Sequence, residues 1–455
     1  MLTKSNILFP DGNLFSNRGR KNFFNELTHE GFFNQLFKEE FERLDEKGDV
    51  YLDYAESSVF PFSIVQKHFN LLQNSTFNTP GSATGSSGLL ERTRVAILNH
   101  FKAHEYHCVF THNLSDAMDI VGQNYPFGQL LLLADNHHSY NQLSFRCECQ
   151  QGQVDYALLN QDLSINSAEL RNSLQSFNQE NKLFVFSAQS DVSGIKHDLD
   201  WVQEATAQGW DVLLDVDSFA QASNLNLSKT QPAFVALSFH KMFGYPAGVS
   251  CLLVHKDQIH RLISGGQQKS IVSRAEYHLV CDHSRFEDKS IDYLSIPAVK
   301  FGLDFHKEIG IMRLESRVQS MGAYLLRNLK RIKHSSGIPV VRLIGPNERS
   351  VVEGTVLMKF QDAVGKHILS VEVKRMASDR YITIGAGNFV NPGVLQSIQA
   401  YASTEEHLVP NSYNELVAQY NNLRDVVRVS VGVSTRKKDL DVFLDFVRSM
   451  KDSVV

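Results

Sequence analysis

Polar and ionisable side chains follow a series of apolar runs in the middle of the chain, at the point where each run ends. The runs are CVF, LLLLA, LFVFSA, DVLL and FVALS. Runs of this kind are typical of buried parallel strands, and ligands of open α/β sheets bind beyond the carboxyl ends of such strands, so we expect these groups to meet in one crevice. The groups are Thr111, His112, Asn113, Asp135, His137, Gln189, Asp191, Asp215 and Lys241.

Three of these features match the needs of one cofactor, pyridoxal 5′-phosphate (PLP). The PLP aldehyde forms an imine with a lysine amine, the protonated ring nitrogen needs an anionic partner, and the phosphate binds backbone N–H groups at a helix N-terminus. Lys241 in SFHKMFG, Asp215 in LLDVDS and the turn THNLSDAMD supply these parts. A buried aspartate is costly without a cationic partner, so Asp215 suits a pyridinium. The sequence therefore predicts a PLP site.

Other cofactor sites are less well supported. The segments GSATGSSG (81–88) and GGQQKS (265–270) lack features of a P-loop. His100, His104 and His107 have spacings that could place them on one helix face, but the glutamate of an H-E-x-x-H zinc site is missing. We interpret them as solvated histidines on an amphipathic helix and expect no metal.

The elements that must position these groups can be read from the hydrophobic pattern. Between residues 51 and 298, apolar runs alternate with helical patterns, which predicts βαβ units and a mainly parallel sheet. After that region come a helix through Leu329, four strand-like pieces (VVRLIG, TVLMKF, YITIG and VVRVSVGV) and a final helix from Lys438 to Met450. This pattern predicts a smaller α+β domain.

The segment before Tyr51 carries apolar residues at helical spacing, which predicts a docking helix. These residues are Phe33, Leu36, Phe37, Phe41 and Leu44. We expect an N-terminal arm and helix (1–50) that packs on the small domain or on a dimer partner, a large cofactor domain (51–298) and a small domain (299–455).

Charge and composition exclude several classes of protein. The 45 basic and 50 acidic residues give a net charge of -5, so no basic field is available to hold nucleic acid. No stretch reaches the ~20 apolar residues of a membrane helix, and the first residues lack the apolar core of a signal peptide. Five cysteines are an odd number and argue for a reducing compartment. We expect a cytoplasmic protein.

Several motifs together resemble one enzyme family. They are YLDYAESSVFP, FSAQSDVSG, LLDVDSFAQAS, SFHKMFGYPAG, SRFEDKSID and VRVSVGVSTRKKDLDVF. The stretch from Tyr51 to Val447 is similar to the class V aminotransferases of PLP fold type I, and within them to the branch of cysteine desulfurases and the PLP domain of molybdenum cofactor sulfurase. The resemblance implies a large α/β domain with a mainly parallel, seven-stranded sheet, a smaller α+β domain, and a homodimer with shared active sites.

The resemblance also implies roles for individual residues. Lys241 matches the lysine that binds PLP, Asp215 the partner of the ring nitrogen, and His137 the histidine stacked on the ring. Arg428 matches the arginine that grips the substrate carboxylate. The positions implied in holding the cofactor are Asn113, Leu114, Ser115, Ser218, Ser238, His240 and Ser290, the last across a dimer interface; Asn113 and Leu114 depart from the family's Gly-Ser-Thr type turn.

Three positions near the implied site also depart from the family. Val390, in GNFVNPG, stands where the motif F-C-N-x-G has the cysteine that takes sulfur as a persulfide. Ser218 stands where desulfurases place a glutamine, and Asp191 where the family usually has an asparagine. Asp191 either points away as a turn residue or meets a cationic group on the substrate.

These departures leave several functions open. Because a valine cannot carry sulfur, we rank first the transamination, or another conversion without a persulfide, of a small amino acid. A desulfurase-like lyase that cleaves at Cβ ranks second. A PLP-binding regulatory or partner protein without turnover is the alternative from another class, although the set of Lys241, Asp215, His137 and Arg428 argues against it.

Overall fold

The architecture is that of a large, mainly parallel sheet and a small antiparallel sheet. It is given by a computed structural model that describes residues 29–75, 77, 86–176, 179–262, 270–272, 277–279, 282–287, 291–345, 353–387, 389, 391, 394 and 426–454.

The large sheet has seven strands in the order β2-β8-β7-β6-β5-β3-β4. Only β8 runs against its neighbours β2 and β7, so the other six strands share one direction. The expected mainly parallel, seven-stranded sheet is confirmed. The strands are β2 (Tyr106–Thr111), β3 (Gln129–Leu133), β4 (Gln153–Ala157), β5 (Lys182–Ser187), β6 (Trp210–Asp215), β7 (Phe234–Ser238) and β8 (Ser250–His255).

Both faces of this sheet are covered. All four leucines of Leu130–Leu133 are buried, and alternate members belong to separate hydrophobic clusters on the two faces. In a parallel sheet the helices that connect successive strands lie on the two faces, so the strands are buried on both sides. The helices of this region are α3 (Phe62–Asn74), α4 (Ser86–His100), α5 (Leu114–Asn124), α6 (Asn141–Cys149), α7 (Ser167–Ser176), α8 (Asp200–Ala207) and α9 (Phe239–Phe243), with 3₁₀ turns at His138–Tyr140, Phe219–Gln221, Lys256–Gln258 and His283–Arg285, and a short hairpin of β9 (Ser270–Val272) and β10 (Tyr277–Leu279).

The small sheet is antiparallel, in the order β11-β12-β16-β15, and a further strand, β13, pairs with β12. Helix α10 ends at Ile309 and α11 begins at Ile311, because Gly310 adopts a left-handed φ of 83° that breaks the single helix expected there. The elements are α10 (Ala298–Ile309), α11 (Ile311–Leu329), β11 (Val341–Ile344), β12 (Thr355–Gln361), β13 (His367–Ile368), α12 (Ser370–Ser378), β14 (Ile382–Thr383), β15 (Gly385–Gly387), β16 (Val426–Ser430) and α13 (Lys437–Ser449).

The described part of the N-terminal segment packs on the small sheet's helices. It forms α1 (Glu30–Glu40), α2 (Arg43–Lys47) and β1 (Val50–Tyr51). The guanidinium of Arg317 on α11 lies over the Phe33 ring, and that of Arg436 lies over the Phe37 ring. Strand β1 pairs with β14, and Asp53 forms a bridge with Ser430. This segment thereby carries residues 53–56 toward the small sheet.

One local expectation is wrong. His100 is the last residue of α4, His104 lies in a turn and His107 is on β2, so the three histidines do not share a helix face. The helix ends at His100, and Lys102, two residues later, adopts a left-handed φ of 53°. Among the described residues, no helix is both long and apolar enough to cross a bilayer.

Candidate active site

A cavity of about 310 Å³ lies at the carboxyl ends of the parallel strands. It is the place where the sequence predicts that the strand-end groups meet. Twelve of the residues singled out from the sequence line it: His112, Asn113, Leu114, Ser115, His137, Gln189, Asp191, Asp215, Ser218, Ser238, His240 and Lys241. Among the other expected site residues, Arg428 does not line it and Ser290 lies outside the described residues.

Lys241 is held at this cavity by its backbone. It lies in the first turn of α9, directly after β7. Its carbonyl oxygen accepts hydrogen bonds from Ser58 Oγ at 2.6 Å and from Gln221 Nε2 at 2.8 Å. Its Nζ lies 3.2 Å from Oδ2 of Asp217. Burial opposes the ammonium form, but the charges of Asp217 and then Asp191 outweigh burial and raise the pKa of Lys241 above its usual range.

Asp217 is fixed as the partner of this lysine. Its Oδ1 accepts a hydrogen bond from the Ser238 backbone N–H at 2.6 Å and another from the Ser238 hydroxyl. Burial acts to raise the pKa of Asp217, but the Lys241 charge and the Ser238 hydroxyl outweigh it, and the net pKa is lowered. Asp217 and Lys241 therefore form a buried, ionised pair.

Asp215 lies at the end of β6 on the same cavity wall. Its Oδ1 accepts the Asp217 N–H at 2.9 Å, and its Oδ2 accepts the Ser187 hydroxyl at 3.2 Å. Burial and, second, the negative charge of Asp217 raise the pKa of Asp215 to about 7. A carboxyl group in this setting gains from a cationic partner.

His137 presents a neutral ring to the cavity. Its Nδ1 lies 2.9 Å from Ser139 Oγ and accepts the Ser139 N–H at 3.3 Å. Burial lowers the pKa of His137, although Asp191 acts in the opposite direction. The ring of His138 meets the His137 ring edge to face, with centroids 4.3 Å apart, so it supports the ring that lines the cavity.

The other end of the cavity offers neutral donors suited to an anion. Helix α5 begins here. In its first turn the N–H of Asp116 donates to the Asn113 side-chain oxygen at 2.9 Å. Leu114 and Ser115 line the cavity at this helix start, and His240 does so from α9. Burial lowers the pKa of His240, so its ring is neutral in the absence of a ligand.

Arg428 lies behind the cavity wall. Its side chain is 1% exposed, and its Nη2 binds Oδ1 of Asp53 at 2.8 Å and Oε2 of Glu56 at 3.2 Å. Its Nη1 donates to the Asp191 carbonyl oxygen at 2.8 Å, and the Phe389 ring covers the guanidinium at 4.2 Å. Glu56 and Phe389, which do line the cavity, stand between Arg428 and the open space.

Asp191 lines the cavity, so it does not point away as a solvated turn residue. The amide of Asn391 lies 3.4 Å from its Oδ1 and also donates to the Asp135 carbonyl oxygen at 2.6 Å. Phe389 and Asn391, the neighbours of position 390 in the sequence, thus contact residues of the site. Val390 itself lies outside the described residues.

Sequence reasoning missed several residues of this cavity. Glu56 comes from the segment before α3 and Phe389 from the segment after β15. Both lie in motifs noted in the sequence, YLDYAESSVFP and GNFVNPG, but neither residue was given a role. Gly248 and Ser250 enter because β8 is antiparallel and begins where its neighbours end. The pairing of Asp217 with Lys241 could have been suspected from the spacing D-x-D in DVDS.

Comparison with known proteins identifies the family. The family model described as aminotransferase class-V matches residues 50–443. The chain belongs to the class V aminotransferase family. It is 31% identical over 461 residues to molybdenum cofactor sulfurase 3 of Aedes aegypti, a match that covers 94% of this chain and 59% of the relative. It is 28% identical to the human molybdenum cofactor sulfurase over 452 residues, covering 90% of this chain and 50% of that protein. The chain therefore spans little more than half the length of these relatives.

Solved structures of similar fold include cysteine desulfurases. The apo cysteine desulfurase of Thermococcus onnurineus superposes with a TM-score of 0.76 at 17% identity, covering 91% of this chain and 97% of that one. A cysteine desulfurase of Escherichia coli gives a TM-score of 0.72 at 16% identity, covering 92% and 98%. The expected PLP fold type I and the stated nearest branch are confirmed. Transamination, ranked first from the sequence, is not supported by these relatives, and the carbon–sulfur lyase alternative fits them better.

The class V enzymes are PLP-dependent, and PLP is the cofactor of this chain. The residues present fit it. Asp215 is a buried carboxyl group that gains from a cation, as the protonated ring nitrogen would be. Ser218 lines the cavity, and its buried hydroxyl has no hydrogen-bond partner among the described residues. A donor of this kind suits an oxygen of the cofactor.

Proposed function

We propose that this chain is a PLP-dependent carbon–sulfur lyase that cleaves the Cβ–S bond of cysteine or a close analogue. The observation that carries the proposal is the placement of Lys241, Asp215 and His137 around one cavity. The choice of carbon–sulfur cleavage is supported by the names of the relatives, which are sulfurases and desulfurases.

Each residue has a task in this proposal. PLP supplies an electron-withdrawing ring that makes the substrate α-proton acidic. Lys241 binds the cofactor and then moves the α-proton. Ser58 and Gln221 hold its backbone carbonyl, and its side chain lines the cavity. Asp215 holds the proton on the ring nitrogen, and His137 covers the ring. Arg428 orients the substrate carboxylate.

We propose that sulfur leaves as free sulfide. No cysteine of the sequence lies in the segment 387–393. None of the described cysteines lines the cavity. The overall conversion is then cysteine plus water to pyruvate, ammonia and hydrogen sulfide: the Cβ–S bond breaks, the α-proton is removed, and water replaces the amine.

The homodimer remains part of the proposal. By its resemblance to the family, we propose that Ser290 reaches the phosphate of the partner's cofactor. Ser290 lies outside the described residues.

The test is a product analysis with L-cysteine and PLP-loaded protein. We expect sulfide and pyruvate in equal amounts, abolished in Lys241→Ala and unchanged in Lys229→Ala, a matched variant at an exposed lysine. Mercaptopyruvate without sulfide would instead make the protein an aminotransferase. Alanine with a protein-bound persulfide would make it a desulfurase, and no conversion of any amino acid would favour a regulatory role.

A further inference from the structure

The cation expected to bind the substrate carboxylate is already paired in the substrate-free protein. Nη2 of Arg428 binds both Asp53 and Glu56, and Nη1 binds the Asp191 carbonyl oxygen. Nε is buried and has no hydrogen-bond partner among the described residues. Glu56 and Phe389 both contact the guanidinium and line the cavity. A carboxylate ligand that approaches from the cavity therefore meets Glu56 at Nη2.

Glu56 is the acceptor that can leave. Its side chain is 72% exposed, whereas that of Asp53 is 14% exposed, and its bond of 3.2 Å is longer than the 2.8 Å bond of Asp53. Asp53 is also held by its backbone bridge to Ser430. Glu56 alone of the two carboxylates lines the cavity from which a substrate would approach.

We propose that Glu56 is a specificity-determining residue whose carboxylate occupies Arg428 in the free protein and is displaced by the α-carboxylate of the substrate. The proposal rests on the proposed function, in which Arg428 orients that carboxylate. Each α-amino acid must then compete with Glu56 for Arg428, whereas an amine without a carboxylate leaves the Glu56–Arg428 pair intact.

The test compares two ligands that differ only in a carboxylate, L-alanine and ethylamine. Their dissociation constants are measured from the change in cofactor absorption of the PLP-loaded protein. The Glu56 side of this ion pair is mostly exposed, and such a partner contributes up to about 1 kcal/mol. Glu56→Gln should therefore lower the dissociation constant of L-alanine by about twofold to fivefold and leave that of ethylamine unchanged. Glu46→Gln, at an exposed position on α2, is the matched control and should change neither.

The possible outcomes separate this proposal from the proposed function. An unchanged dissociation constant for L-alanine in Glu56→Gln, or an equal change for both ligands, would overturn the competitive role of Glu56. If Glu56→Gln lowers the dissociation constant of L-alanine as expected, but the protein releases no sulfide from cysteine, the competitive role of Glu56 stands and the proposed lyase activity is refuted. A cofactor spectrum that responds to neither ligand would overturn both.

Discussion

Replacing Asp217 by asparagine should lower the pKa of Lys241 substantially. The amide keeps an oxygen for the Ser238 N–H but removes the negative charge 3.2 Å from Nζ of Lys241. At that distance and an effective dielectric constant of about 20, the attraction is about 5 kcal/mol. Since removal of a nearby opposite charge moves a pKa by about 1–3 units, we expect a fall of that size.

The assay is trace acetylation of the cofactor-free protein with acetic anhydride between about pH 6 and pH 11. Mass spectrometry of the Lys241 peptide, relative to the peptide of exposed Lys229, reports the fraction of neutral amine. In Asp217→Asn, labelling of Lys241 below its pKa should be about tenfold to a thousandfold faster than in the parent protein, following the shift of 1–3 units.

Asp191→Asn is the matched control for this prediction, because Asp191 lies in the same cavity but is not in contact with Nζ. It should shift the labelling curve less than Asp217→Asn. Identical curves for the parent protein and Asp217→Asn, with both proteins folded by circular dichroism, would show that Asp217 does not hold the proton on Lys241.

Three further substitutions test other parts of the site. Burial and then the Asp217 charge raise the pKa of Asp215 to about 7. Between about pH 4 and pH 7 the carboxyl group is therefore protonated in the folded protein but ionised in the unfolded chain. Its contribution to the free energy of unfolding falls as the pH rises through this window. In urea unfolding of the cofactor-free protein, Asp215→Asn should therefore gain stability relative to the parent across this window, and a pH-independent difference would contradict the assignment. Arg428→Lys should lower kcat/KM for L-cysteine about tenfold to a hundredfold, by loss of a charge-assisted contact of about 1.5–3 kcal/mol, and an equal value would make Arg428 structural. Gly302→Ala should lower the free energy of unfolding by about 1–3 kcal/mol, because its Cβ would lie 2.2 Å from the Phe243 ring; Gly31→Ala, in open space on α1, is the control.

The sequence was sufficient to predict the cavity because strand-end position and strand direction are linked. Asp191, Asp215 and Lys241 follow buried apolar runs, and parallel strands must present such residues at one edge of the sheet. The same reasoning could not predict that β8 runs in the opposite direction, since a buried antiparallel strand has the same apolar pattern.

Long-range electrostatic pairing was beyond the sequence. The partners of Arg428 are Asp53, 375 positions earlier, and Glu56, 372 positions earlier. They meet because the segment after β1 forms a bridge with β16, and neither that bridge nor its register leaves a local pattern. Resemblance to a family gave Arg428 a role, but only the structure shows that its charge is already balanced.

The claim that Lys241 carries the cofactor is tested most directly by reduction of the PLP-loaded protein with borohydride, followed by peptide mapping. We predict one pyridoxyl adduct, on the peptide that contains Lys241, and noncovalent PLP binding without an adduct there in Lys241→Ala. An adduct on any other lysine of the parent protein would contradict the account of this site.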